Sequence, residues 1–468
     1  MAKVYVFFWF DVEDYITPQS DEALKRLLEI FERQNVRGTF KLVGEKLRVL
    51  KKRNRKDILE KLRHQDIGYH TDFHSKHPTV SEYLKDLGWE EGVREFEIRE
   101  KEGVDDIERI FGRVPSCYGQ PGGAWAPQVY EVMKKWRIPI YLDETNHIGL
   151  NSQPFWYCGI LNILNLRSNC TRVSLKEGKI GLEKAKKEFQ DIYEKLHSQG
   201  GTISIYYHPC EFVTNEFWDK VNFAEGKNTH PSEYQPSPLK SSSQVEEGFK
   251  LFEDYLSCIK AYKDLEIVTA QEAPAIYPDL ARQKEFSLEE IKDLFSKVEE
   301  ELTYQVLDKI SLSLAELFCL ASSFLNSYIQ NKILPQKVII HQLMGPGERI
   351  EGIKTPFYFS WDSFAKTCIE VERYLRKVKH TPEEIFIEEK RVTPADFFFT
   401  AAKLIKKIIE DNHPPTKIKI RQARIALEKY VTGKESWGWV IFPKGFNAPK
   451  VINLGKLQTW TLKPALID

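Results

Sequence analysis

Over the first 275 or so residues, apolar runs of strand length alternate with segments whose apolar residues recur at helical spacing. Residues 4–10 (VYVFFWF) form an unbroken β-branched and aromatic run, the pattern of a buried parallel strand. Ser20 is placed to cap a helix in which Leu24, Leu27, Leu28 and Phe31 share one face. Residues 38–43 (GTFKLV) predict the next strand, and 57–65 lie in a basic amphipathic helix. Shorter strands are predicted at 67–70, 116–118, 139–143, 202–207 and 265–270, with helices at 182–197 and 244–262. This β-then-α order predicts parallel strands covered by helices, an open α/β sheet or an α/β barrel. Chemistry in such folds gathers at the carboxyl ends of the strands. The polar segments that follow the runs are 11–14, 70–77, Gln120, Asp143 and His208.

The strand signals stop near residue 280, where Pro274, Pro278 and a charged segment mark a boundary. We therefore read a domain at 1–278 and a mostly helical one at 285–468. The second contains a repeat offset by 80 residues, about 313–342 against 393–422, with Ala315/Ala395, Phe318/Phe398, Pro335/Pro415 and Ile340/Ile420 matching. Each copy reads as an amphipathic helix, a proline-containing turn and a short apolar segment, without clustered catalytic residues. The repeats, with Trp437, Trp439 and Trp460 nearby, suit either glycan binding or packing and homo-oligomerisation.

Composition narrows the class. The chain has 468 residues, too many for one ordinary core, and hydrophobic and charged fractions of 42% and 29%, typical of a globular protein. Lys+Arg and Asp+Glu are both 68, which argues against a dedicated nucleic-acid binder. No stretch approaches the roughly 20 apolar residues of a membrane span. The apolar run at the N-terminus is short and ends in acidic residues, unlike a signal peptide. The seven cysteines are scattered without CxxC spacing, which suits free thiols, so a cytoplasmic location is expected.

Four of the 11 histidines fall in HQDIGYHTDFHSKHP, from His64 to His77. His70 and His74 are four apart, so on a helical turn both imidazoles would face one metal. Asp11 and Asp14, following the first strand, are the candidate oxygen donors. A metal so held would lower the pKa of its water and polarise a carbonyl, as amide hydrolysis requires.

Taken in order, these pieces resemble the polysaccharide deacetylase family, the NodB-homology carbohydrate esterases, over residues 3–275. FDVEDY is similar to the first motif, GYHTDFHSKHP to the second, YGQPGGAW to the third, YLDE to the fourth and TISIYYHP to the fifth. The resemblance implies a distorted (β/α) barrel and one divalent metal, zinc or else cobalt, nickel or manganese. It implies Asp14, His70 and His74 as ligands, Asp11 as general base, His208 as general acid and Asp143 as the partner of His208. Tyr118, Gln120 and Trp125 would line the groove, and His77, just before Pro78, is a substrate contact or a competing ligand. Gln120 stands where the family carries an arginine that pairs with the base. Asp11 must then be supported elsewhere, by Arg113 or a lysine, or the substrate must differ. The implied activity is removal of N-acetyl groups from an amino-sugar glycan. The alternatives are hydrolysis of a small non-sugar amide and a catalytically silent glycan-binding protein.

Overall fold

A computed structural model describes residues 3–352, 357–433 and 437–467. The first strand, β1 (Val4–Val12), is buried except for partial exposure of Tyr5. Its side chains alternate between two cores, as the period of two requires. Val4, Val6, Phe8, Phe10 and Val12 pack outward with Phe31, Phe40 and Phe252, and Phe7 and Trp9 pack inward with Leu142 and Ile163. The outward layer is covered by helices such as Gln19–Arg33, which buries Ala23, Leu24, Leu27, Leu28, Ile30 and Phe31.

The other sheet strands are β2 (Thr39–Leu42), β3 (Asp66–Tyr69), β4 (Cys117–Tyr118), β5 (Ile140–Asp143), β6 (Phe155–Tyr157), β7 (Ile160–Leu164), β8 (Gly201–Tyr207) and β9 (Leu265–Val268). The order runs β6-β7-β5-β4-β3-β2-β1-β8. From β7 to β8 every pairing is parallel. Strand β9 runs beside Val4–Phe7 of β1, and β2 beside Trp9–Val12. The result is the expected distorted (β/α) barrel, curled but not closed. The carboxyl ends of β1, β3, β5 and β8 open on one side, and every polar segment named above lies there.

Helix Trp89–Phe111, not among the elements read from the sequence, packs on this sheet with Trp89, Val93, Phe96, Val104, Ile107 and Phe111 buried. Its apolar stripe is broken by Gly92, Glu100 and Gly103, which hides the period in a run dense with charge. Glu100 is buried and accepts hydrogen bonds from Tyr69 Oη (2.6 Å), the Asp72 amide (2.8 Å) and Tyr83 Oη (3.1 Å), and no cation pairs with it among the described residues. Burial pushes its carboxyl up from 4.5 to about 7. Below pH 4.5 the acid is protonated in both folded and unfolded chains, and stability is unaffected. As pH rises from 4.5 to 7 only the unfolded chain ionises, so stability falls and the loss is complete above 7. Glu100→Gln is therefore expected to remove about 3 kcal/mol of pH-dependent destabilisation, measured as the difference between urea unfolding at pH 8 and pH 4.5.

The C-terminal region is helical with short ladders, and its repeat is larger than the sequence match. In the first copy Glu285–Ser287 pairs antiparallel with Lys337–Ile339, enclosing helix Leu288–Ser296, hairpin Gln305–Leu307/Ile310–Leu312 and helix Leu314–Asn331. In the second, Tyr358–Ser360 pairs with Lys417–Lys419 around Trp361–Val378, hairpin Ile385–Ile387/Lys390–Val392 and Pro394–Asp411. Ser287, Ser313, Ser360 and Thr393 cap the four helices through their side-chain oxygens.

The repeats are not detached from the barrel. Their buried residues belong to the same continuous core as the outer face of the sheet. Lys463–Pro464 adds an antiparallel strand beside β6. Buried Lys463 bridges Asp279 and Glu316, both at 2.7 Å, and Tyr157 Oη donates to Gly455 O at 2.7 Å. Among the described residues no helix is long and apolar enough to cross a membrane.

Candidate metal centre

The alternation of β1 decides which acidic residues meet. Continuing the inward series Phe7, Trp9 places Asp11 and Glu13 on one face and turns Asp14 to the other. The Asp14 carboxylate closes a local turn, its Oδ1 accepting from the amides of Ile16 (3.0 Å) and Thr17 (2.9 Å). Burial pushes it up to about 6, against the pull of Lys46. Asp14, the acidic ligand expected from the motif, thus does not join the histidines; Glu13 does.

The segment after β3 is an irregular turn rather than the helical turn expected, with Thr71 and His74 at φ 66° and 55°. The turn nevertheless brings both rings together, their centroids 4.8 Å apart. His70 Nδ1 lies 3.1 Å from Gly119 O, which fixes the proton on that nitrogen and leaves Nε2 a lone pair. His74 Nδ1 is 2.6 Å from Ser75 Oγ. The two Nε2 atoms lie 3.5 and 2.9 Å from Glu13 Oε2. His74 Nε2 is buried and makes no oriented hydrogen bond despite that proximity.

One donor atom from each of Glu13, His70 and His74 lies within 4.8 Å of the others, and all three residues are buried. Two imidazoles and a carboxylate are a familiar donor set for zinc-class ions. Burial opposes ionisation of Glu13, but His74, His208 and His70 outweigh it and hold the carboxyl well below its ordinary range. Burial also lowers His70, favouring the neutral ring a metal needs. The residues present fit a divalent metal.

Beside this trio lies a second buried network. Asp11 Oδ1 is 2.9 Å from Lys41 Nζ and 3.6 Å from His70 Nε2, and its Oδ2 is 3.6 Å from His208 Nε2. Burial would raise Asp11; His70, Lys41 and His208 together lower it. Lys41, on β2, is fully buried, 2.5 Å from Asp143 Oδ2 and 4.2 Å above the Trp9 ring. The cation that supports Asp11 is therefore this lysine. Gln120 is buried and donates to Gly122 O (3.1 Å), and Arg113 bonds the Gln65 carbonyl. Gly119 permits the arrangement: a Cβ there would lie 2.2 Å from Lys41 Nζ and 2.3 Å from Asp143 Oδ2.

Asp143 was expected to pair with His208, but its carboxylate is taken by Lys41 and the Glu144 amide (2.8 Å). Glu211 takes that place, its Oε1 lying 3.4 Å from His208 Nδ1 and accepting from the His208 amide at 2.8 Å. Arg172 in turn pairs with Glu211. Burial alone would lower His208; Glu13, Glu211 and Asp11 raise it to about 9.

Asp11, Glu13, His70, His74, Asp143 and His208 face one cavity of about 500 Å³, into which Phe217 and Trp439 also project. Tyr118 and Trp125, expected in the groove wall, are 1% and 0% exposed and belong to the core. Tyr118 packs between Phe96 and Tyr141, and Trp125 fits against Gly455. Among the described residues the aromatics bordering the cavity are Phe217, 36% exposed, half-buried Trp439, and partly buried Tyr206, whose ring stacks on Trp9 and carries the Arg172 guanidinium. Trp439 comes from the C-terminal region, donates to Asp219 Oδ2 (2.9 Å), crosses His74 edge-on at 5.4 Å and lies over Gly122. His77 does not border this cavity; its nitrogens face Glu82 Oε2 (2.7 Å) and Phe223 O (3.0 Å).

No family model and no curated protein sequence matches the chain. Among solved structures, a Mycobacterium smegmatis protein classed as a polysaccharide deacetylase is 14% identical, with TM-score 0.38, covering 58% of this chain and 90% of its own. The Puue allantoinase is 11% identical, with TM-score 0.40, covering 59% and 92%. The Xyl-CE4 domain of a multidomain xylanase, from the hindgut metagenome of Trinervitermes trinervoides, is 11% identical, with TM-score 0.33, covering 60% and 95%.

Proposed function

We propose that this protein is a divalent-metal-dependent hydrolase of C–N bonds that removes N-acetyl groups from an amino-sugar glycan. The observation that carries the reading is the meeting, in one cavity, of the Glu13–His70–His74 donor set with Asp11 and His208. A bound zinc-class ion would supply electrophilic polarisation of the amide carbonyl and a more acidic water. Asp11, kept ionised and aimed by Lys41, accepts the proton of the attacking water. His208, kept charged by Glu211 and its acidic neighbours, donates a proton to the departing amine. The motif resemblance to polysaccharide deacetylases supports the acetylated sugar as substrate.

Acetate release from N-acetylated chito-oligosaccharides, with and without prior chelation, tests the reading. Chelator-sensitive release is the expected result, and a metal-loaded protein that releases no acetate overturns it. Phe217 and Trp439 are the aromatic faces available to a sugar ring. Trp439→Ala is expected to raise KM for the oligosaccharide by about tenfold and to change kcat by less than about twofold. Steady-state kinetics over a range of oligosaccharide lengths checks the split.

A further inference from the structure

Where helix Val129–Lys135 of the barrel faces the repeats lies a second cavity, of about 900 Å³, unconnected with the residues of the metal centre. Basic side chains dominate it, and its two acidic ones are already engaged. Glu131 accepts from Trp89 Nε1 at 2.6 Å, and Glu316 is held by Lys463 at 2.7 Å and by the Ser313 amide at 2.7 Å. Arg282 and Arg376 each have a carboxylate of their own, Asp279 at 2.6 Å and Glu372 at 2.8 Å. Lys134 does not. Its side chain is partly buried, and its ammonium lies 2.9 Å from the thioether sulfur of Met344 and forms no ion pair among the described residues. His341 Nε2 and Gln342 Nε2 are buried without a hydrogen-bond partner. Lys379, at the left-handed end of helix Trp361–Val378, adds a further cation at the rim with no ion pair among the described residues.

A partly buried ammonium without a counter-ion and buried nitrogens without partners are costly unless something supplies acceptor oxygens and negative charge. We propose that this cavity is an oxyanion-binding site, taking the carboxylate or phosphate group of an acidic ligand. Lys134 provides the central charge-assisted hydrogen bond, Gln342 and His341 the directional contacts, and Lys379 attraction at the mouth. Burial lowers Lys134, a cost that a bound anion would offset.

Calorimetric titration of the full chain with inorganic phosphate and, separately, with D-glucuronate tests the site. Saturable binding of one anion per chain is expected. Tighter phosphate binding identifies a phosphorylated ligand, and tighter glucuronate binding a uronic-acid one. Lys134→Met is expected to weaken binding by about tenfold or more, and Lys379→Asn, which tolerates the left-handed backbone, by about threefold. Bound divalent metal is expected to be unchanged in both. Absence of saturable binding by either anion, or wild-type affinity in Lys134→Met, overturns the proposal. Should Lys134→Met fail to fold, unchanged affinity in Lys379→Asn overturns it alone.

Discussion

Glu13→Gln is expected to weaken divalent-metal binding by about 100-fold or more, whereas Asp14→Asn leaves it within about threefold of wild type. The contrast follows from side-chain direction. Glu13 Oε2 stands 3.5 and 2.9 Å from the two imidazole Nε2 atoms, and an amide there offers a neutral, weaker donor. Asp14 Oδ1 instead receives the Ile16 and Thr17 amides, a task that an asparagine oxygen performs equally well. Metal content after dialysis, with calorimetric titration of zinc into the stripped protein, checks both variants. A reversed ranking, with Asp14→Asn losing metal and Glu13→Gln keeping it, would place the centre on the other face of β1. Acetate release should follow metal occupancy in each variant.

Lys41→Met is expected to destabilise the fold by about 3–5 kcal/mol, because it strands two buried carboxylates, Asp11 and Asp143, without their shared cation. Burial already pushes Asp143 up to about 7 with the lysine in place. Turnover should fall by about 100-fold or more, since Asp11 loses the charge that helps keep it ionised. The double variant Lys41→Met with Asp143→Leu separates the two effects. It removes one stranded carboxylate and should regain much of the stability, while turnover stays low because Asp11 is still unsupported. Thermal unfolding and kcat, measured on the same preparations, provide the comparison. Recovery of kcat along with stability would show Lys41 to be a packing element only.

The sequence was informative wherever side chains repeat with a fixed period. The apolar run at 4–10, the helical spacing of Leu24, Leu27, Leu28 and Phe31, and the β-then-α order all survive in the barrel. His70, His74, Asp11 and His208, all nominated by the motif resemblance, border one cavity. Glu13 was legible too, for alternation from Phe7 and Trp9 passes through residues 11 and 13, not 14; motif spacing drew attention to Asp14 instead. Lys41 sat in the GTFKLV run as the one charge in an apolar strand, a signal that a buried partner must exist. Trp439 could not be assigned this way. Its place beside His74 depends on a chain path of about 230 residues after the last motif, which no local pattern encodes. The β6–β7 hairpin and helix Trp89–Phe111 were hidden respectively by short length and by glycines and glutamates within the apolar stripe.

The return of the chain to the barrel also bears on how such a protein can be cut and recombined. The C-terminal residues supply an edge strand beside β6, a buried lysine that bridges the two regions and an aromatic wall of the cavity that holds Glu13, His70 and His74. A barrel excised near residue 280 would expose that edge and lose that wall together. The repeats are therefore not a cassette that can be exchanged between proteins while the barrel stays intact. Variation in them is constrained by the barrel, and the two halves must change in step.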